Sequence, residues 1–191
     1  MLMKKLLLFF LLSILNTLLF AQDDPPQRFS LNLDVTTHGA FASGGTAFSP
    51  GVGASAFAEW RPLDALSFGS GFGFSYHPDN PSWSLASWDM GGRLYPLGAT
   101  PAGEWYLQCT AGLDLVTASL KDYWPGSFHG TGGVGYRSFL GPGNALDLGV
   151  QYELFSPLHD PLQAVGVKVG WVFLFGPPPT GAEPAVLKKA E

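Results

Sequence analysis

The chain has 191 residues, with 10 Lys and Arg against 15 Asp and Glu, a formal charge of −5 and only 13% charged residues. That acidic balance excludes a nucleic-acid surface built on basic charge, and the single cysteine, Cys109, excludes an intramolecular disulfide framework. The 25 glycines and 15 phenylalanines, with no helical periodicity, point to one domain of strands and tight turns.

The first segment, MLMKKLLLFFLLSILNTLLFAQ, puts Lys4 and Lys5 before an apolar run that ends at Ala21. Charged start, short apolar core and small residue at the end are the order of a secretory signal, and the core is shorter than the ~20 residues of a spanning helix. Residues 1–21 are therefore expected to be cleaved near Ala21. Losing Lys4 and Lys5 takes the formal charge from −5 to −7. Beyond Ala21 no apolar run reaches the length of a membrane helix, so only β-structure is left as a way to span a bilayer.

Alternation with a period of two then runs through the chain. FSLNLDVTT sets Phe29, Leu31, Leu33 and Val35 against Ser30, Asn32, Asp34 and Thr36. VGASAFAEW sets Val52, Ala54, Ala56, Ala58 and Trp60 against Phe57 and Glu59, with RPLDA as its turn. LSFGSGFGFSY carries Phe68, Phe72, Phe74 and Tyr76 on one face and Gly69, Gly71 and Gly73 on the other. SWDMGGRLY sets Trp88, Met90 and Leu94 against Asp89, Arg93 and Tyr95; Trp83 and Leu85 have the wrong parity and are expected in a loop or across a bulge. WYLQCTAGLDL gives Trp105, Leu107, Cys109, Leu113 and Leu115 against Tyr106, Gln108, Thr110 and Asp114, making Cys109 a small apolar filler. The glycine-diluted FHGTGGVGYRSFL sets Val134 and Tyr136 against Arg137, with LGPGN as its turn. LDLGVQYEL sets Leu146, Leu148, Val150, Tyr152 and Leu154 against Asp147 and Glu153, and VGVKVGWVFLF sets Val165, Val167, Val169, Trp171, Phe173 and Phe175 against Gly166, Lys168 and Gly170.

Eight strands, most near the ~9–11 residues that a tilted strand needs to cross a bilayer, predict an all-β, eight-stranded antiparallel up-and-down transmembrane β-barrel over residues 29–175. Residues 22–28 form a short periplasmic lead and residues 176–191 a Pro-rich periplasmic tail. Connections near residues 38–50, 77–82, 118–127 and 156–163 are the longer ones, as in barrels whose long loops face outward. Phe29, Trp60, Tyr95, Trp105, Phe139 and Phe173 near the turns, and Phe74, Tyr76, Tyr152 and Phe155 near the loops, have the placing of two headgroup-level girdles. A soluble sandwich would show the same alternation, but its polar face would carry many lysines and glutamates, where this one is glycine-rich with sparse charges of both signs.

That pattern resembles the small eight-stranded outer-membrane proteins of the OmpA, OmpX and OmpW type, over Phe29 to Phe175. In that class the last strand carries a signal for the barrel assembly machinery, and Lys168, Gly170, Phe173 and Phe175 stand at its positions. The chain departs from the class by continuing to Glu191 rather than ending at the final aromatic. The resemblance implies an integral outer-membrane protein with a structural or surface-interaction role, with lipid, the assembly machinery and an extracellular ligand or host surface as partners. The alternatives it leaves open are a narrow porin or small-ligand channel and, behind these, a lipid A-modifying enzyme.

Among polar residues, Asp34, Glu59, Asp89, Arg93, Asp114, Arg137, Asp147, Glu153 and Lys168 share the inward face and are expected to pair across strands, since an unpaired buried charge is costly. Glycines at many inward positions leave room for a crevice. No catalytic set and no cofactor are expected. Ser75 and His77 are the nearest approach to the Ser, His and acid set of the lipid A deacylases. His38, His77, His129 and His159 each fall in or beside a predicted outer loop, near Asp79, Asp122 and Asp160, the only arrangement in the chain that suggests a metal. KDYWPGSF, Lys121 to Phe128, reads as a loop tip with exposed aromatic and charged groups.

Overall fold

A computed structural model describes residues 28–42, 50–78, 82–116, 127–141, 143–156 and 162–176. The expected signal segment, most of the tail, His159, Asp79, Asp122, Asp160 and most of Lys121–Phe128 lie outside the described residues. Eight strands follow in order: β1 Arg28–Ala42, β2 Gly51–Leu63, β3 Leu66–His77, β4 Trp83–Leu94, β5 Gly103–Val116, β6 Ser127–Gly141, β7 Asn144–Ser156 and β8 Leu162–Phe175. Each is antiparallel to the next, and β8 returns to β1, so the sheet closes into an up-and-down barrel with no free edge.

The faces follow the alternation. Leu33, Val35, Leu107, Leu113, Leu148, Val150, Val167 and Val169 stand exposed on the outer wall, while Asn32, Asp34, Glu59, Asp114, Asp147 and Lys168 are buried in the lumen. Cys109 is on the outer wall and exposed. One end of the barrel carries the tight β2–β3 and β6–β7 connections, the β4–β5 connection, the start of β1 and the end of β8; this is the turn end, and the opposite end is the loop end. Two register shifts, between Trp60 and Leu63 and between Phe139 and Gly141, both sit at the turn end. A bulge there tightens the twist where a strand must reverse.

The strands run 12 to 15 residues, longer than the sequence pattern suggests, and the extra length corrects several expectations. RPLDA is not all turn: β2 continues to Leu63, so Arg61 is a strand residue whose side chain is buried. Glu104 belongs to β5, not to the connection before it. β4 begins at Trp83 and pairs with β3 and β5 without a bulge; Leu85 has lumen parity because it lies in the lumen, buried. β1 and β3 run on to Ala42 and His77, which shortens the loops expected there.

The aromatic girdles are also less complete than the sequence suggests. Trp60, Trp105 and Phe173 stand outward at the turn end, and Phe74, Tyr76 and Tyr152 at the loop end. Tyr95, however, is buried in the lumen, Phe155 lines the lumen at the loop end, and Phe29 is buried with its ring 6.1 Å from that of Phe175. Phe139 sits half-buried at the second register shift. Aromatic type alone does not choose the outer wall, since a phenol buried with a hydrogen-bond acceptor is as well placed inside.

Candidate functional site

Six charged side chains at the turn end determine what the barrel interior can do. Glu59 is the centre. Its Oε2 accepts from Arg93 Nη1 at 3.1 Å, Arg137 Nη2 at 2.9 Å, Asn32 Nδ2 at 3.3 Å and Ser30 Oγ at 3.4 Å, and its Oε1 accepts from the Tyr95 hydroxyl. Asp147 accepts from Arg93 Nη1 at 3.1 Å and from the Tyr106 hydroxyl. Both oxygens of Glu104 accept from Arg61 Nη1, at 2.9 and 2.7 Å, and Arg137 Nη1 lies 3.5 Å away. Arg61 also lies over the Tyr95 ring, 3.7 Å from its centroid, and Arg93 over Tyr106 at 4.5 Å.

Three arginines thus face three carboxylates, so the cluster is neutral as well as hydrogen-bonded. Charges taken out of water are tolerable only in that condition. Above it Lys168 Nζ donates to Gln108 Oε1 at 3.0 Å and stands 3.9 Å from Asp34.

Glycines let this filling reach the walls. At Gly71 a Cβ would come within 2.8 Å of Phe57 Cδ2 and 2.5 Å of the Ala56 carbonyl oxygen, and at Gly69 it would meet the Phe57 ring edge. Across the lumen, Gly135 faces the Tyr106 phenol with the Leu148 carbonyl 2.7 Å from where a Cβ would stand. Much of the room that inward glycines were expected to leave is taken by these two rings.

The remaining room lies towards the loop end, as a cavity of about 110 Å³. One water needs about 10–15 Å³ by the same measure, so several fit. Lys168, Arg93 and Gln108 border it below, Thr110 and Thr131 at the side, and His38, Glu153 and Phe155 above. It is a cup, closed beneath by the ionic cluster.

All nine acidic and basic residues singled out on the inward face lie in the lumen, but they form two groups. Glu59, Arg93, Arg137 and Asp147 meet at the turn end, with Lys168 and Asp34 just above. Asp89, Asp114 and Glu153 pair instead with histidines: Asp89 Oδ1 is 2.5 Å from His129 Nε2, Asp114 Oδ1 is 2.8 Å from His129 Nδ1, and Glu153 Oε2 is 3.1 Å from His38 Nδ1. Sequence reasoning missed Arg61, Glu104 and the structural part played by Tyr95, Tyr106 and the histidines. One more step of the alternation finds the charged pair, since Arg61 is two residues after Glu59 and Glu104 two before Tyr106.

The three described histidines are strand residues, not loop residues. His38, His77 and His129 lie in β1, β3 and β6 with side chains turned into the lumen, where His77 and His129 are buried. Among the described residues no group of three or more His, Cys, Asp or Glu side chains is arranged to hold a metal ion. Ser75 and His77 do face the same way, with Oγ 3.5 Å from Nε2, but that way is the lumen rather than the outer wall. The backbone N–H groups around them are committed to the β2–β3 and β3–β4 ladders, which removes the usual backbone donors of an oxyanion hole.

A closed eight-stranded barrel with an apolar wall, a polar filled lumen and two tight turns at one end is the architecture of the small outer-membrane barrels. Among solved structures, Neisserial surface protein A (NspA) matches with a TM-score of 0.64 at 18% identity, covering 77% of this chain and 97% of that chain. Ail, the attachment invasion locus protein of Yersinia pestis, matches with a TM-score of 0.55 at 12% identity, covering 79% of this chain and 100% of that chain. No protein-family model matches the chain, and no curated protein sequence does.

Proposed function

We propose that this chain is an integral outer-membrane barrel whose wall is a non-conducting support for the connections at its loop end, with a structural or surface-interaction role. The observation that carries the reading is the neutral cluster of Arg61, Arg93 and Arg137 with Glu59, Glu104 and Asp147, which fills the lumen at the turn end. An ion crossing the barrel would have to displace buried charge pairs, each of which costs several kcal/mol to leave uncompensated. The apolar outer wall supports lipid as its surroundings, because closed ladders leave no backbone group unpaired towards hydrocarbon.

In this reading the signal segment delivers the chain to the periplasm, and Lys168, Gly170, Phe173 and Phe175 of β8 serve the assembly machinery. In β8 Lys168 and Gly170 face the lumen while Phe173 and Phe175 face out, so both halves of that pattern lie on one strand. Ail has also been solved with the heparin analogue sucrose octasulfate. For this chain the corresponding proposal is an extracellular ligand or host surface met through the loops. A lipid A deacylase role fits poorly, since Ser75 and His77 face away from acyl chains on the outer wall.

Planar bilayers test the reading. The refolded protein in concentrated KCl is expected to give no stepwise current above the bare-membrane baseline. Sustained, reproducible steps would give the narrow-porin reading instead.

A further inference from the structure

We infer that the cup towards the loop end of the lumen is a binding site for a small aliphatic cation with primary ammonium groups, of the short diamine class. The first observation is a charge imbalance. The turn-end cluster matches three arginines to three carboxylates, but above it the described residues place four more carboxylates, Asp34, Asp89, Asp114 and Glu153, and a single lysine, Lys168. His129 counts as a second cation, since each of its nitrogens faces a carboxylate oxygen, at 2.5 and 2.8 Å. The carboxylates stay in excess even if one of His38 and His77 is charged as well, and two charged rings with centroids 6.0 Å apart would repel. Excess buried charge of one sign is costly, and a cation from outside relieves it.

The second observation is independent of that count. Asp34 lines the cup and is 4% exposed, yet its Oδ1 accepts no hydrogen bond. Its only ion-pair neighbour, Lys168, stands 3.9 Å from the other oxygen and donates instead to Gln108. On the wall side Oδ1 lies against Gly170, where a Cβ would meet it, so the side left for a donor is the lumen. A buried carboxylate oxygen without a donor is an acceptor waiting for one.

The lining selects the kind of cation. Among the described residues no group of three or more His, Cys, Asp or Glu side chains is arranged to hold a metal ion, so hydrogen bonds rather than coordination would hold the guest. A primary ammonium brings three donors. Asp34 offers it an acceptor low in the cup and Asp89 and Glu153 offer acceptors nearer the rim, which suits a molecule with an ammonium at each end. Between them Thr110 and Thr131 share a hydroxyl hydrogen bond at 2.6 Å, and the Phe57 and Phe155 rings give methylene groups an apolar wall and the cation a ring face. A cup of about 110 Å³ takes several waters or one small amine, and strands wall it too closely for a peptide.

Calorimetric titration of the untagged, full-length protein, refolded in an uncharged detergent at low salt, with 1,4-diaminobutane tests the site. One equivalent per chain is expected to bind saturably, and butyrate not at all. Asp34→Asn and Glu153→Gln should each weaken binding about tenfold or more, the usual effect of losing one charge-assisted hydrogen bond, and Glu191→Gln at the chain end should leave it unchanged. A second measurement needs no variant: in NMR spectra of the native chain the diamine should move the carboxylate carbon signal of Asp34 before those of Asp64 and Glu191. Absence of saturable heat overturns the proposal, as does binding undiminished in both lumen variants, butyrate binding as tightly as the diamine, or signal changes centred on Asp64 or Glu191.

Discussion

Glu59→Ala is expected to destabilise the folded barrel by about 3–5 kcal/mol, the usual cost of breaking a buried ion pair by removing one partner. The loss is larger than deletion of an ordinary lumen residue would give, because one carboxylate serves five donors. Arg93, Arg137, Asn32 and Ser30 share its Oε2, and Tyr95 holds its Oε1. After substitution Arg93 keeps Asp147 at 3.1 Å and Arg137 keeps Glu104 at 3.5 Å, so the buried cluster has three cations for two carboxylates. Glu59→Gln preserves the volume and one acceptor oxygen and should fall between. Asp34→Asn is the contrasting case: the nearest cation is Lys168, at 3.9 Å, and Lys168 also donates to Gln108, so a smaller loss is expected. Urea denaturation in detergent, followed by the loss of the compact band on unheated gels, reads all three.

Gly135→Val has the second large effect, and its cause is steric. A Cβ at Gly135 meets the Tyr106 phenol and stands 2.7 Å from the Leu148 carbonyl oxygen, which belongs to the neighbouring β7 wall. The carbonyl cannot retreat without breaking the ladder, and the phenol cannot without leaving Asp147. Overpacking of this kind costs about 1–3 kcal/mol and more where backbone must move. Gly132→Val is the control, because Gly132 is on the outer wall with nothing within 4 Å of the place where a Cβ would stand. It should be tolerated. The pair Gly135→Ala and Tyr106→Ala should recover part of the loss relative to the sum of the single changes, as contacting residues do.

The faces were legible in the sequence because the outer wall is selected for a single property. Leu33, Val35, Leu107, Val150, Val167 and Phe173 all lie outward, and a period of two is enough to find them. Strand ends were less legible. Arg61 precedes Pro62 and Glu104 follows Gly103, so both sit among residues that read as turn, yet Arg61 is a lumen residue at the end of β2 and Glu104 the first lumen residue of β5. Tyr95 and Phe155 have lumen parity and the aromatic character of a girdle, and only the three-dimensional setting decides between the two. Partner choice within the lumen was not legible at all. Arg137 meets Glu59 across 78 residues and Arg93 meets Asp147 across 54, contacts that exist only once β8 closes on β1 with its stagger. His38, His77 and His129 show the same limit: they lie near loops in the sequence, but longer strands carry them into the lumen.

Electrophoretic mobility of the detergent-extracted protein before and after boiling, run on separated outer-membrane and soluble periplasmic fractions, tests the central claim most directly. A closed barrel in the outer membrane predicts that the protein is found in the membrane fraction and that the unboiled form migrates faster than the boiled one. Recovery in the soluble fraction with one mobility before and after heating would contradict it.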